Sequence, residues 1–190
     1  MENELQLLRR ARKFDEQALA AIFDTYYRPL YRYLYHQTGH VQTAEDLTAK
    51  VFQRFLEALH NSQGPDDNLK AWLFKVAHHL AIDESRRFVY RNDAPLDENF
   101  AVGEIGMEEH LHVANETERV RLALNHLTPQ QKAVITLHFL EGLDNAEIAR
   151  VLHSTIGAVK ALQHRALAAL RRQLIPQEQI EGEPNEQPTL

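Results

Sequence analysis

The chain has 190 residues, 44% hydrophobic and 25% charged, so it holds enough apolar material for a core and belongs with folded globular proteins. It has no cysteine, which excludes a disulfide framework, thiolate metal sites, iron–sulfur clusters and a cysteine nucleophile. The net charge of −6 is unevenly spread. Residues 1–88 are neutral, 89–118 carry eight acids against one base, 119–175 carry eight bases against three acids, and 176–190 carry four acids and no base. The stretch 148–175 has Arg150, Lys160, Arg165, Arg171 and Arg172 and no acid. Such asymmetry speaks of partners rather than fold. The first thirty residues are charged throughout, with no signal-peptide core, and no run approaches a membrane span. The expectation is a soluble, cytoplasmic protein.

Gly and Pro are scarce, apolar residues recur at helical spacing and no strand pattern stands out, so the predicted class is all-α. Asp15 caps a helix to about Tyr26; Pro29 opens a second, which Gly39 ends near Gln37. Thr43 caps a third, with Ala44, Leu47, Val51, Phe55 and Ala58 as its stripe. Phe52 and Leu56 fall beside that stripe among Asp46, Lys50 and Gln53, a pattern that fits a partner surface or a wide core stripe. The cluster 61–67 breaks the chain, and Asp67 or Asn68 caps a helix to about Phe88 or Tyr90. On that helix and its entry Lys70, Trp72, Phe74, Lys75, His78, His79, Arg86 and Arg87 interleave aromatics with cations. The pattern suits single-stranded nucleic acid, although Trp72 and Val76 also read as core.

Residues 91–107 read as linker, and a helix resumes near Glu108 and runs to Leu124. Thr128-Pro129-Gln130-Gln131 is a capping box, opening a helix with Val134, Ile135, Leu137, Phe139 and Leu140 that stops at Gly142. Asp144 to Glu147 opens a short helix, His153-Ser154-Thr155 breaks it, and a last helix carries Val159, Leu162, Ala166, Ala169 and Leu170 on one face. This pair reads as a helix-turn-helix, with Lys160, His164 and Arg165 turned outward to duplex DNA. Ile156, Gly157 and Ala158 stand where base contacts are expected, and they offer few hydrogen bonds. The tail 176–190, with three Pro and four Glu, is expected to be disordered.

Two segments resemble a known family. Asp46-Leu47-Thr48-Ala49-Lys50-Val51-Phe52, then Leu69 to Asp83 and Arg86-Arg87, resemble region 2 of bacterial sigma factors. Leu127 to Gln131, Leu140 to Ala149, Gly157 to Lys160 and Gln163 to Ala166 resemble their region 4. Together they cover about 15–174, and the chain resembles an extracytoplasmic-function (group IV) member of the sigma-70 family. That implies two small helical domains: region 2 over 1–90, a flexible acidic linker over 91–118, and a winged-helix-like helix-turn-helix region 4 over 119–175.

The resemblance implies promoter-specific transcription initiation, with bacterial core RNA polymerase (beta-prime and beta subunits) and promoter DNA as partners and an anti-sigma factor as a further one. Asp46, Lys50, Phe52, Gln53 and Leu56 would dock on polymerase. Asn68, Lys70, Trp72, Lys75, His79, Asp83, Arg86 and Arg87 would hold the −10 element. Thr155, Ile156, Gly157, Ala158, Lys160, Ala161, His164 and Arg165 would read the −35 element. Asp46→Arg or Phe52→Ala is then expected to weaken polymerase binding without unfolding the protein. The chain departs from the family at Ala49-Lys50, where Gln-Glu is usual, at His78-His79, where Arg-Asn is usual, and at Ala161-Leu162-Gln163, where Ser-Arg-Leu is frequent.

Two other classes stand beside this one. A conventional dimeric helix-turn-helix regulator uses the same C-terminal signals and predicts a palindromic site. An enzyme needs a constellation the sequence lacks. The pairs His36 and His40, His78 and His79, and His110 and His112 have no third metal ligand at diagnostic spacing. There is no phosphate loop or nucleophile elbow. No cofactor, metal or catalytic residue is expected.

Overall fold

The computed structural model describes residues 4–91, 119, 120 and 122–174. The expected linker over 91–118, all but its first residue, and the expected tail lie outside them. Among the described residues all regular structure is helical.

Helix α1 spans Glu4–Ala11, a helix the sequence reading passed over. It buries Leu8 and Ala11, and the Glu4 carboxylate accepts from the Tyr26 hydroxyl at 2.7 Å and the Leu69 N–H at 2.8 Å. Arg12 donates to the Pro65 carbonyl at 2.6 Å, so the N-terminus ties down the loop before the fourth helix.

Helix α2 spans Glu16–Thr38 as one element, capped by the Asp15 carboxylate on the Ala18 N–H at 3.0 Å. The predicted break at Pro29 does not occur. Ala18, Ile22, Tyr26, Leu30, Tyr33 and Leu34 form one buried stripe that passes through the proline. Proline inside a helix costs about 3 kcal/mol, and burying each large apolar side chain returns about 1.5–3 kcal/mol, so the stripe outweighs the lost hydrogen bond. Gly39, at φ +75°, closes α2 where a side chain would strain the backbone.

Helix α3 spans Val41–His60 and starts two residues before the predicted Thr43 cap, with His40 as an N-cap making no side-chain cap bond. Burial of Ala44, Leu47, Val51 and Phe55 holds this start in place of a cap. Helix α4 spans Leu69–Arg91, and the Asn68 side chain accepts from the Ala71 N–H at 2.8 Å, as one of the two predicted caps. Helices α2, α3 and α4 pack around Tyr33, Leu47, Phe55, Leu73 and Phe74, all nearly fully buried.

In the C-terminal part, residues 119, 120 and 122–125 are helical. Helix α5 spans Pro129–Ile135 behind the predicted Thr128–Gln131 capping box. It opens into a π-helical turn over Thr136–Leu140 rather than continuing as an α-helix to Gly142. The wider turn leaves Phe139 and Leu140 exposed, although both were predicted in the apolar face. Gly142 takes φ +65°.

Helix α6 spans Asn145–Val151 and α7 spans Ile156–Leu174. Ile148, Ala149 and Val151 pack with Val159, and Leu124, Leu127, Ile135 and Ala166 form a second small core. No strand, and so no wing, is present among the described residues. At the start of α6 the Asp144 carboxylate accepts from the Glu147 N–H at 2.8 Å, and the Glu147 carboxylate accepts from the Asp144 N–H at 2.9 Å. Asp144→Ala is expected to cost about 1 kcal/mol and Asp144→Asn much less. Thermal melts of the two variants check this; equal melting points would mean the cap contributes nothing.

The two parts touch. Helix α6 packs across α4, and α2 meets α5 and the π turn. The Arg32 guanidinium forks onto the Glu141 carboxylate at 2.8 and 2.9 Å, and the same group donates to the Leu140 carbonyl.

Candidate nucleic-acid interface

Helix α7 has a buried side of Val159 and Ala166, with Leu162 half-buried. Its opposite side is open. Thr155, Ile156, Gly157, Ala158, Lys160, Ala161, His164 and Arg165 are all exposed. Thr155 is committed partly as the cap, its hydroxyl accepting from the Ala158 N–H at 3.2 Å. The open side therefore begins at a helix N-terminus and carries Lys160 and Arg165. That is the electrostatic form a phosphate backbone favours, with one forked donor suited to base edges.

Helix α4 has a second polar side, partly covered by α6 and the turn after it. Asn68, Trp72, Lys75, His79, Asp83 and Arg86 recur every three or four residues and so share one face. Asp83, Arg86 and Arg87 are exposed; Lys75 and His79 are half-buried. Trp72 is also half-buried, its ring edge-on to Phe55 at 5.8 Å, so the core and ligand readings of Trp72 both hold for part of the indole. Lys70 leaves this face and donates to the Glu141 carbonyl at 2.6 Å. His78 turns inward, its Nδ1 2.8 Å from the Tyr33 hydroxyl. Burial, then the nearby His79 and His153, push His78 down to about 4. His79 is lowered as well, by desolvation first and then by His153 and Lys75, with Asp83 opposing.

On α3, Asp46, Lys50, Gln53 and Leu56 are exposed. Phe52 is not: it is 9% exposed and lies under Phe23, ring to ring at 4.7 Å. The expectation that Phe52→Ala leaves the fold intact is therefore corrected, because the ring supports the surface from beneath. A groove of about 280 Å³ between α3 and α4, lined by Lys50, Gln53, Arg54, Asp83, Glu84 and Arg87 among others, joins the α3 and α4 faces.

Sequence reasoning missed the aromatic ladder Phe23, Tyr27, Tyr31 and Tyr35 along α2, with neighbouring rings 5.1–6.5 Å apart. Its signal was present as aromatics at a strict spacing of four. The reading also missed the Arg32–Glu141 pair, for which a separation of 109 residues leaves no local trace. Among the described residues there is no group of three His, Asp or Glu able to hold a metal, and no helix long and apolar enough to cross a membrane. His110 and His112 lie outside the described residues.

The family model for Sigma-70 region 2 matches residues 22–88, and the model for Sigma-70 region 4 matches residues 117–170. The chain is 31% identical to the ECF RNA polymerase sigma factor SigW of Bacillus subtilis, over 88% of this chain and 94% of that protein. The chain belongs to the extracytoplasmic-function sigma factors of the sigma-70 family. It is 33% identical to the ECF RNA polymerase sigma factor BldN of Streptomyces coelicolor, over 90% of this chain but only 65% of that longer relative. Its fold matches the structure of CnrH in complex with the cytosolic domain of CnrY, with a TM-score of 0.67, 22% identity and coverage of 88% and 94%. As a sigma factor it serves promoter-specific transcription initiation with core RNA polymerase and promoter DNA, and the family is one of non-catalytic initiation factors.

Proposed function

We propose that this sigma factor divides promoter recognition between its two helical parts. The exposed side of α7, from Thr155 to Arg165, reads the −35 element as duplex. The α4 face, with Asn68, Trp72, Lys75, His79, Asp83, Arg86 and Arg87, and Lys70 at its entry, holds the −10 non-template strand by stacking and backbone neutralisation. The outer side of α3, with Asp46, Lys50, Gln53 and Leu56, docks on the largest polymerase subunit, and Phe52 holds that surface in shape. The domains run over 1–90 and 119–175, joined by the acidic stretch 91–118 and followed by the tail 176–190. The protein acts in the cytoplasm and supplies binding energy and strand separation, while all bond chemistry belongs to polymerase. An anti-sigma factor is a further partner, suited to the same faces.

One observation carries this reading: every residue assigned to −35 recognition is exposed on α7 or at its cap, while the apolar side of that helix is buried. Gel filtration with bacterial core RNA polymerase tests it. The protein is expected to co-elute, and Asp46→Arg to weaken co-elution at least tenfold with an unchanged helical spectrum. Such a loss is about 1.4 kcal/mol, within what a repelled interfacial charge costs. Failure to co-elute, with the free protein running as a dimer that shifts palindromic duplex DNA, would favour the conventional regulator.

A further inference from the structure

Helix α1 lies outside residues 22–88, the part that the region 2 family model matches, and it carries none of the residues assigned to polymerase or promoter. It is nonetheless firmly seated. Leu8 and Ala11 are buried, and Arg10 grips the Asp15 carboxylate through bonds of 3.0 and 3.2 Å, closing the corner into α2. The Tyr26 hydroxyl donates to one Glu4 oxygen at 2.7 Å. The other Glu4 oxygen accepts from the N–H of Leu69, the first residue of α4, at 2.8 Å. Past the far end of α1, Arg12 donates to the Pro65 carbonyl at 2.6 Å and to the Asp66 carboxylate at 2.5 Å. The α1 segment thus holds both ends of the stretch 65–69.

That stretch needs holding. Asn68 sits in the left-handed region at φ +37°, which a residue with a side chain keeps only where its surroundings impose it. Glu4 imposes it from one side, on an N–H that the helix start leaves without a partner. Arg12 imposes it from the other, through Pro65. The Asn68 Oδ1 caps the Ala71 N–H, and its amide, which meets Glu147 at 3.0 Å, is the donor left for a base edge. Lys70 and Trp72 follow within one turn. Asp66 is so exposed that its pair with Arg12 adds little to stability. What these contacts fix is geometry.

We propose that α1 is a positioning brace for base selection: Glu4 and Arg12 hold the stretch 65–69 so that the Asn68 amide and the first turn of α4 meet the −10 strand in one fixed arrangement. This rests on assigning the α4 face to the strand. Both are positioning residues, acting through the backbone they hold. A site held in one geometry rejects a base that does not fit it, whereas a loose one adjusts to several. Loss of the brace therefore costs selectivity before it costs binding.

The test uses holoenzyme assembled from the full chain and bacterial core RNA polymerase. It is offered a pool of fork-junction DNA whose −10 non-template strand is randomised. Sequencing the bound fraction gives the enrichment of the preferred base at each position. Glu4→Ala and Arg12→Ala are each expected to lower the peak enrichment by about fivefold or more, the low end of what one base contact contributes, with total pool binding within about twofold. Glu4→Gln keeps an acceptor for Leu69 and a partner for Tyr26, so it should retain the enrichment. Ile22→Val, which trims a fully buried side chain of α2, is the stability control; it should lower the melting point and leave the enrichment unchanged. Trp72 is the only tryptophan and reports locally. Acrylamide quenching of its emission should rise in the two alanine variants and stay unchanged in Glu4→Gln and Ile22→Val.

Unchanged enrichment in folded Glu4→Ala and Arg12→Ala chains would overturn the brace, as would a flat profile for the unaltered chain. An equal loss in Ile22→Val would assign the effect to stability, and an equal loss in Glu4→Gln would assign it to charge; either overturns the brace. Lys75→Ala separates these failures from failure of the strand assignment. If it lowers pool binding, the α4 face holds the strand and the brace stands or falls by itself. If it does not, the assignment falls and the brace with it.

Discussion

Phe52→Ala is expected to destabilise the N-terminal domain by about 3–5 kcal/mol, the range for removing a buried phenyl ring. The ring is 9% exposed and sits between Phe23 and the α3 core stripe. Phe23 is itself 45% exposed and heads the aromatic ladder on α2, so the cavity left by Phe52 would open toward solvent and take the ladder with it. At about 4–8 °C per kcal/mol for a domain of this size, the melting point should fall by more than about 10 °C. Leu56→Ala is the matched control. Leu56 is 43% exposed and its truncation should cost about 0.5 kcal/mol or less. If the α3 surface docks polymerase, Leu56→Ala weakens co-elution with a native melt, whereas Phe52→Ala loses stability and co-elution together. A native melt for Phe52→Ala would mean that Phe23 and Tyr27 collapse into the gap at no cost.

The elements that were legible in the sequence are those whose signals are local. The capping boxes at Thr128 and Asp144, the Asn68 cap and the glycines at 39 and 142 act within a few residues, and each marks an end found in the structure. Pro29 was misread because its local cost is visible while the compensating stripe, from Ala18 to Leu34, runs on both sides of it. Thr43 was misread for the converse reason: a good capping residue is not used where burial already starts the helix two residues earlier.

The π turn at Thr136–Leu140 followed no composition rule, and it moved Phe139 and Leu140 from core to surface. In the site, the α7 face was legible because its exposed and buried positions alternate at helical period. On α4 the sequence pattern counted His78 and His79 alike among the cations interleaved with aromatics, and it could not tell that His78 turns inward to Tyr33, or that the C-terminal domain covers Asn68 and Lys70. Contacts between residues 79 apart, such as Asn68 and Glu147, leave no periodic trace in a single sequence.

Arg165→Ala is expected to lower initiation from a −35-dependent promoter by roughly 5- to 150-fold, the kinetic face of about 1–3 kcal/mol for a lost forked contact to a base edge. Arg165 is exposed on α7, and its Nε makes only a local, long bond to the Ala161 carbonyl at 3.3 Å, so the fork is available to DNA at little cost. Lys160→Ala should behave differently. An ammonium one turn from the helix start is a point charge for a phosphate, and its loss should weaken binding to all sequences alike and reduce the slope of log affinity against log salt by about one. Neither residue lies on α3, so co-elution with polymerase should be unchanged for both. Transcription from matched templates, one with the −35 element intact and one with it scrambled, separates the two roles. Arg165→Ala should narrow the gap between the templates, while Lys160→Ala should lower both. If Arg165→Ala lowered both templates equally at every salt concentration, Arg165 would be a phosphate contact, and sequence reading would pass to His164 and the helix N-terminus at Ile156 and Gly157.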